Sequence, residues 1–341
     1  MEASFQQADR SHPLSLTPGY ILPVEKRPLL SQVSSSTSIP IIDMRDELHV
    51  VDKISKACEE YGFFQIINHG IPPELCRRMM AVLSEFFHLP PEERARFCTD
   101  DPRCPVKVYH PYLGTGQDGE KVTMWSEYLS HPCHPLDGIL HLLPDKPVQY
   151  REVVVAYAKE MGGLVKRLLG LISKGLGLES NYLNERLKQH KRILQANYYP
   201  TCPQPDLTLG LPVHTDLGVL TILQQSQGVT GLHVIKDGNW MYVDPIPDAF
   251  VINVGDQLQV MSNGRYKSVH HRAVINKSMA RLSIATFYRP EPDVMIGPIE
   301  ELVDDQHPAL YQNYRFEEFF KEFLRQEGSR RRVKEVFELR H

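Results

Sequence analysis

Residues 231–243, GLHVIKDGNWMYV, form two short β-type runs joined by Asp237-Gly238. Aspartate followed by glycine between such runs is a strong signal for a two-residue hairpin, because both turn residues adopt a positive φ. Asn263-Gly264 supplies a second signal of this kind. Further β-type runs lie on both sides, at residues 193–199, 219–224, 250–254, 258–261, 266–275 and 282–288. Many short strands with hairpin turns predict a β-sandwich or a double-sheet jelly roll.

Helical patterns flank this β-rich region, so the predicted fold class is α+β. Helices are predicted at about residues 47–60, 72–88, 148–174 and 316–338. Apolar residues recur at helical spacing in the first and third of these segments, and Pro72-Pro73 suits the first turn of the second. Residues 98–145 are rich in Pro, His, Gly and Tyr, which predicts loops that shape a pocket. We therefore divide the chain into an N-terminal extension (1–37), an N-terminal helical region (38–190), a jelly-roll core (191–300) and C-terminal helices (301–341).

The overall composition is that of an ordinary globular protein. Hydrophobic residues make up 42% of the 341 residues, and the net charge of -4 provides no basic surface for nucleic acid. The six cysteines form no CxxC pair, which predicts a reduced intracellular protein. The N-terminus is polar and no segment approaches the roughly 20 apolar residues of a membrane span. We expect a cytoplasmic monomer that binds a small molecule and neither membrane nor nucleic acid.

A candidate metal centre is indicated by His214-Thr215-Asp216 together with a downstream histidine pair, His270-His271. Two imidazoles and one carboxylate on one face are the ligand set of non-haem Fe(II) oxygenases. His214 and Asp216 are two residues apart, so an extended segment presents both side chains to the same side. Only one of the adjacent histidines can face the ion, and spacing does not decide between them. Zinc can use the same ligands.

The Asn263-Gly264 hairpin provides a route that brings the second histidine to the metal. With a two-residue loop and no bulge, the register places His271 opposite Asp256. We therefore predict that the Asp256 carboxylate accepts a hydrogen bond from the second ring nitrogen of His271.

A candidate cosubstrate site follows at Arg281-Leu282-Ser283. Arg281 and Ser283 share one face of a strand, and a guanidinium can bind a carboxylate of a dicarboxylic acid through a bidentate, charge-assisted pair. Asn197 and Tyr199 add an amide and a phenol to the same β region. Taken alone, Arg281 is better explained by a surface salt bridge, and Tyr198 and Tyr199 by strand packing.

These motifs together resemble the plant 2-oxoglutarate- and Fe(II)-dependent dioxygenases over nearly the whole chain. The matching segments are Phe63-Phe64-Gln65-Ile66-Ile67-Asn68-His69-Gly70-Ile71, Asn197-Tyr198-Tyr199-Pro200, Pro203-Gln204-Pro205, His214-Thr215-Asp216, Tyr266-Lys267-Ser268-Val269-His270-His271-Arg272 and Arg281-Leu282-Ser283. The resemblance implies a distorted jelly roll, also called a double-stranded β-helix, with flanking helices. It also implies that iron is bound by His214, Asp216 and His271, the histidine directly before arginine.

The resemblance further implies the cosubstrates and the reaction. Arg281 and Ser283 would hold the distal carboxylate of 2-oxoglutarate, with Asn197 and Tyr199 assisting. Fe(II), 2-oxoglutarate and O2 would be required, with ascorbate as the reductant, and 2-oxoglutarate would be converted to succinate and CO2. Residues 125–137 resemble the hyoscyamine 6-hydroxylase-like subgroup, and residues 210–216 the downy-mildew-resistance-type oxygenases of salicylate and flavanones. The expected outcome is hydroxylation or desaturation of a phenolic, flavonoid or alkaloid metabolite.

Four aromatic residues are candidates for the substrate pocket, namely Phe287, Trp125, Tyr109 and Tyr112. Core packing is the alternative role for each of them. Two alternative functions also remain at this stage. One is an iron-dependent oxidase or cyclase that does not use 2-oxoglutarate, and the other is a non-catalytic jelly-roll binding module.

Overall fold

The fold is taken from a computed structural model that describes residues 15–28, 33, 38–99, 101, 104–109, 113–115, 121–326 and 332–339. At Tyr109 and residues 113–115 the description covers the backbone. No helix in these described ranges is long and apolar enough to cross a membrane.

The larger of two main sheets has eight strands. In spatial order they are β1 (Ile41–Asp43), β2 (Phe63–Ile67), β12 (Phe250–Val254), β9 (Leu220–Gln225), β14 (Arg281–Pro290), β7 (His190–Tyr199), β6 (Glu127–His134) and β3 (Lys107–Tyr109), numbered along the chain. Only β1 and β2 are parallel to each other among these neighbours. Strands from both sides of the predicted boundary at residues 190 and 191 therefore belong to this one sheet.

The smaller main sheet has four antiparallel strands and faces the larger one. In spatial order they are β11 (Asn239–Val243), β10 (Leu232–Lys236), β13 (His271–Ala273) and β8 (Leu211–His214). An apolar cluster joins the two sheets, with Leu232 and Val234 from the smaller and Leu223 and Ala285 from the larger. Two sheets packed across such a layer form the jelly-roll core, as predicted. Two short pairs complete the strands of the described residues: β4 (Leu113–Thr115) with β5 (Lys121–Thr123), and β15 (Met295–Ile296) with β16 (Tyr314–Arg315).

Helices in the described ranges flank the sheets. They are α1 (Val50–Glu60), α2 (Pro73–Phe87), α3 (Pro91–Ala95), α4 (Tyr150–Gly175), α5 (Tyr182–Arg186), α6 (Asp256–Met261), α7 (Phe316–Arg325) and α8 (Val333–Val336). The predicted apolar stripe of α4, which includes Tyr157, Met161 and Leu168, is buried in the largest apolar cluster. Burying each such side chain stabilises the fold by about 1.5–3 kcal/mol. α1, α2 and α4 are confirmed to within a few residues, whereas the predicted C-terminal helix is divided into α7 and α8.

The hairpin at Asp237-Gly238 is confirmed. Lys236 pairs with Asn239, and the two turn residues have φ values of 49° and 80°. The strands β10 and β11 on either side of this turn match the predicted runs.

The hairpin predicted at Asn263-Gly264 is wrong, although these residues have the same φ values of 49° and 80°. The preceding residues form helix α6, so this left-handed pair ends a helix instead of joining two strands. Burial explains the missed helix, because Leu258, Val260 and Met261 are all buried and leave no polar face to mark a helical period. His271 pairs instead with Val234 and His214.

The segment predicted as pocket-shaping loops contains regular structure. Strands β3 and β6 extend the larger sheet, and β6 pairs with β7 along most of its length. Strand β6 alternates between buried and partly exposed residues, as expected for one buried face. The sequence signal was weak here because two histidines and a proline occupy positions of β6.

Candidate metal centre and cosubstrate pocket

The three predicted metal ligands meet between the two main sheets. His214 ends β8 and is paired directly with His271, the first residue of β13, while Asp216 follows two residues after β8. The Oδ1 atom of Asp216 lies 3.7 Å from Nε2 of His214 and 3.6 Å from Nε2 of His271. One ligand atom from each residue lies within 4.8 Å of the others. Such spacing suits one ion bound at about 2.0–2.2 Å from each atom.

Backbone carbonyls orient the two imidazoles. Nδ1 of His214 donates to the Pro212 carbonyl at 2.8 Å, and Nδ1 of His271 donates to the Val269 carbonyl at 3.3 Å. Because a carbonyl can only accept, both Nε2 atoms keep a lone pair for a metal. The predicted contact between Asp256 and His271 is therefore wrong. The edge of the Phe63 ring also packs on His271, with ring centroids 5.1 Å apart.

Asn253 of β12 fixes the third ligand, and sequence reasoning missed it. Its Nδ2 donates to Oδ2 of Asp216 at 2.9 Å, which leaves Oδ1 of Asp216 facing the histidines. Thr221 of β9 is paired with Asn253 across the sheet and also donates to this carboxylate. Thr221 and Asn253 could be linked only through the pairing register of β9 and β12, which places them opposite each other.

The surroundings keep His214 and Asp216 in their metal-binding protonation states. Burial, followed by the neighbouring His271, lowers the pKa of His214 to about 4, so this imidazole is neutral at pH 7. Burial alone would raise the pKa of Asp216. The two histidines and the hydrogen bonds from Asn253 and Thr221 outweigh that effect and lower it.

The predicted cosubstrate residues lie side by side on neighbouring strands. Tyr199 of β7 pairs with Arg281 of β14, and Asn197 pairs with Ser283. Nη2 of Arg281 donates to Oε1 of Gln225 at 2.8 Å, and its guanidinium carbon lies 5.1 Å from the centre of the Tyr199 ring. Burial lowers the pKa of Arg281, with Tyr199 opposing the shift, yet a guanidinium keeps its charge in proteins.

The Arg281 guanidinium has unused hydrogen-bonding capacity. Its side chain is 3% exposed, and its Nε is buried without a hydrogen-bond partner in the described part of the chain. No carboxylate of the described residues forms an ion pair with it, and Tyr199 is the group that favours its charged form. A buried cation with a free donor fits an anionic cosubstrate. Gln225, opposite Ser283 in the register, is a further residue that sequence reasoning missed.

The ligand cluster and the cosubstrate residues line one cavity with an empty volume of about 480 Å³. Of the four predicted substrate residues, Phe287 lines this cavity together with Leu223 and Leu232. The cavity therefore combines the candidate metal ligands, the Arg281 guanidinium and an apolar wall.

The other three predicted substrate residues have different positions. Trp125 does not line the cavity, because its ring packs edge-on against Tyr20 and its Nε1 donates to the Thr201 carbonyl at 3.2 Å. Tyr109 ends the edge strand β3, where its backbone pairs with Tyr128. Tyr112 lies outside the described residues.

Gly231→Ala is expected to weaken binding of an anionic cosubstrate at Arg281. A Cβ at this position would lie 2.6 Å from Cδ and 3.1 Å from Nε of Arg281, so the guanidinium would have to move. We expect the KM for 2-oxoglutarate to rise by about five-fold or more, consistent with partial loss of a charge-assisted bond. Gly163→Ala is the control, because an added Cβ meets no atom within 4 Å on the exposed face of α4. An unchanged KM in Gly231→Ala would contradict the prediction.

Comparison with known proteins identifies relatives over nearly the whole chain. Residues 190–290 match the 2OG-Fe(II) oxygenase superfamily, and residues 39–153 match the N-terminal region of the non-haem dioxygenases in morphine synthesis. Protein DMR6-LIKE OXYGENASE 1 of Arabidopsis thaliana is 44% identical, with 93% of this chain and 91% of that protein covered. Flavanone 3-dioxygenase 2 of Oryza sativa subsp. japonica is 41% identical, with 93% and 94% covered.

Two further relatives bear on the site. Hyoscyamine 6-dioxygenase of Hyoscyamus niger is 38% identical, with 91% of this chain and 92% of that protein covered. Among solved structures, JOX2 in complex with 2OG, Fe and JA superposes with a TM-score of 0.86 at 36% identity, covering 97% of this chain and 96% of that one.

Proposed function

Because the chain belongs to the 2OG-Fe(II) oxygenase superfamily, we propose that it hydroxylates or desaturates a ring-bearing small plant metabolite of the phenolic, flavonoid or alkaloid class. Its metal would be bound by His214, Asp216 and His271. The observation that carries the proposal is the single cavity that holds this cluster together with the unpaired Nε of Arg281.

The enzyme uses Fe(II), 2-oxoglutarate and O2, which together supply the oxidant while 2-oxoglutarate is converted to succinate and CO2. We assign the distal carboxylate of 2-oxoglutarate to Arg281 and Ser283, with Tyr199 and Asn197 beside them. Arg281 would supply the charge and fork geometry, and Ser283 a hydroxyl donor. Oδ1 of Asp216 and the two Nε2 atoms would keep the metal at one end of the cavity, at a fixed separation from this anchor.

The apolar wall supports the proposed substrate class. Phe287, Leu223 and Leu232 present an aromatic ring and two branched side chains to the cavity, which suits a flat or hydrophobic ring. The named activities of two relatives concern a flavanone and hyoscyamine, and both are ring-bearing small molecules. Contact with such a surface would position the target C–H bond and exclude water from the oxidant.

A substrate screen tests the proposal directly. Fe(II)-loaded protein is incubated with 2-oxoglutarate, O2, ascorbate and phenolic, flavonoid or alkaloid compounds, and succinate formation is measured for each. A matching compound is expected to stimulate succinate release in step with its own oxidation. Product formation without succinate would indicate an oxidase that does not use 2-oxoglutarate. Failure to bind Fe(II) would support a non-catalytic binding module.

Phe287→Ala is expected to weaken binding of the organic substrate while leaving 2-oxoglutarate binding largely intact. The lost contact is worth on the order of 25 cal/mol per Å2 of apolar area buried against the ring. Both ligands are titrated anaerobically against the Fe(II)-loaded variant. Phe320→Ala on α7, a half-buried ring outside the cavity lining, is the control and should change neither affinity. An equal loss of affinity for the organic substrate and for 2-oxoglutarate would show that Phe287 supports the fold of the site and does not contact the substrate specifically.

We also propose that the protein acts as a monomer in the cytoplasm. All the assigned metal and cosubstrate residues come from one chain, so the site needs no second copy. The six cysteines are unpaired, as expected for a reducing compartment. Light scattering during size-exclusion chromatography tests the oligomeric state, and a dimeric mass would contradict it.

A further inference from the structure

We propose that the ion pair between Asp256 and Lys334 positions the metal ligands. It does so by connecting the segment that carries His214 and Asp216 to the segment that leads to His271. Asp256 is the first residue of α6, and Lys334 belongs to the C-terminal helix α8. This inference rests on the proposed metal-binding role of His214, Asp216 and His271. It adds a residue near the C-terminus to a site whose ligands all lie between residues 214 and 271.

The carboxylate of Asp256 contacts both ligand-bearing segments. Thr215, which lies between the ligands His214 and Asp216, donates its Oγ1 hydrogen to Oδ2 of Asp256 at 3.2 Å. Ser268, three residues before His271, donates its Oγ hydrogen to Oδ1 at 2.7 Å. One side chain therefore connects the segment of the first two ligands to the segment of the third.

Lys334 supplies the positive charge for this connection. Its Nζ lies 2.7 Å from Oδ1 of Asp256, and it also donates to Oε1 of Gln259 at 3.3 Å and to the Ser268 carbonyl at 3.4 Å. The Lys334 side chain is 16% exposed and that of Asp256 is 5% exposed. Among the described residues, Lys334 is the cation that forms an ion pair with the Asp256 carboxylate.

Backbone hydrogen bonds extend the connection to a ligand itself. The Asp256 N–H donates to the carbonyl of Asp216 at 2.8 Å, and the Ser268 N–H donates to Oε1 of Gln259 at 2.8 Å. Ser268 lies in a segment that forms no strand, between the end of α6 and the start of β13. His271 itself is paired in the sheet, whereas the segment that leads into it, which includes Ser268, lies outside the sheet and is bound to Asp256 and Gln259 by side-chain contacts.

Loss of the lysine charge should disturb this geometry. A buried carboxylate that loses its cation keeps two hydroxyl donors but is left uncompensated, so it tends to rotate or to admit water. Either change would release Thr215 and Ser268 from a common partner. Metal affinity is sensitive to such outer contacts, which typically contribute about 10–100-fold. Lys334 is one contact further from the ligands than these outer groups. We therefore expect loss of its charge to raise the Fe(II) Kd by roughly five- to ten-fold.

The positioning role can be separated from a role in docking the C-terminal helix. Helix α8 is also anchored by apolar packing, since Val333 is buried and the Phe337 ring lies 4.2 Å from that of Tyr314. Lys334→Met keeps a long apolar side chain at the position and removes only the charge. The helix should therefore remain docked in this variant.

The test compares metal affinity with metal-free stability in the full chain. Fe(II) is titrated anaerobically, without 2-oxoglutarate, into wild type, Lys334→Met and Thr215→Val, and the visible spectrum of each Co(II)-loaded protein is recorded. Each single variant is expected to raise the Fe(II) Kd by about five- to ten-fold and to change the Co(II) spectrum. The variant that combines Lys334→Met and Thr215→Val should raise the Fe(II) Kd by less than the product of the two single-variant fold-changes, because both substitutions act through Asp256.

Arg94→Met is the matched control. Arg94 is also 16% exposed and pairs with Glu127, away from the metal ligands. It should lower the melting temperature of the metal-free protein without changing the Fe(II) Kd. A wild-type Kd in Lys334→Met, or an equal rise in Arg94→Met, would overturn the inference. Absence of Fe(II) binding by the wild-type protein would instead contradict the proposed function.

Discussion

His271→Ala is expected to abolish turnover and iron binding. This imidazole is buried and its Nε2 lies 3.6 Å from Oδ1 of Asp216. Among the described residues, no other histidine, cysteine or carboxylate belongs to this ligand cluster. The Fe(II) Kd should rise by more than roughly 100-fold, the upper end of effects seen for outer contacts alone. Anaerobic Fe(II) titration and succinate release measure the two losses separately. His214→Ala and Asp216→Ala should behave in the same way.

His270→Ala is the matched control for that result. His270 is adjacent in sequence but lies outside the cluster of ligand atoms, and its carbonyl accepts the Ile235 N–H at 3.0 Å, a bond that the substitution preserves. We expect substantial activity and near-normal iron content. If His270→Ala lost iron and His271→Ala retained it, the assignment of the ligand would be inverted.

Arg281→Ala should raise the KM for 2-oxoglutarate by roughly ten-fold or more. The variant removes the buried guanidinium and with it a charge-assisted bond typically worth about 1.5–3 kcal/mol. Arg281→Lys should give an intermediate value, because an ammonium keeps the charge but loses the bidentate fork. Steady-state kinetics with varied 2-oxoglutarate measures both. An unchanged KM in Arg281→Ala would mean that the acid is anchored elsewhere.

The two hairpin predictions show that local sequence determines the backbone conformation of a turn but not which elements the turn joins. Asp237-Gly238 and Asn263-Gly264 have the same pair of positive φ values, so the dipeptides correctly predicted their own backbone conformation. Whether that conformation joins two strands or ends a helix depends on the packing of the preceding residues. Residues before Asp237 alternate across a sheet, whereas those before Asn263 are buried on several sides in α6. The error at the second dipeptide then displaced the predicted partner of His271.

The site residues that were predicted differ in kind from those that were missed. His214, Asp216, Arg281 and Ser283 stand two residues apart in pairs, a spacing that the sequence displays directly. Asn253 reaches the metal site through its neighbours on adjacent strands, and so does Gln225 at the cosubstrate end. Lys334 comes from an element more than 60 residues beyond the last ligand. Such contacts depend on strand order and helix docking, which one sequence without its register does not reveal.

Strand β14 carries Arg281, the proposed anion anchor, at its first residue and Phe287, the proposed substrate contact, six residues later on the same face. At about 3.3 Å per residue the two Cα atoms are some 20 Å apart. Sites at that separation that share no partner usually change in free energy independently, with additivity within about 0.5 kcal/mol. If Phe287 contacts the substrate as proposed, substitutions there are expected to change which molecule is accepted without changing 2-oxoglutarate binding. A library confined to the Phe287 end of the strand is the natural starting point for engineering selectivity.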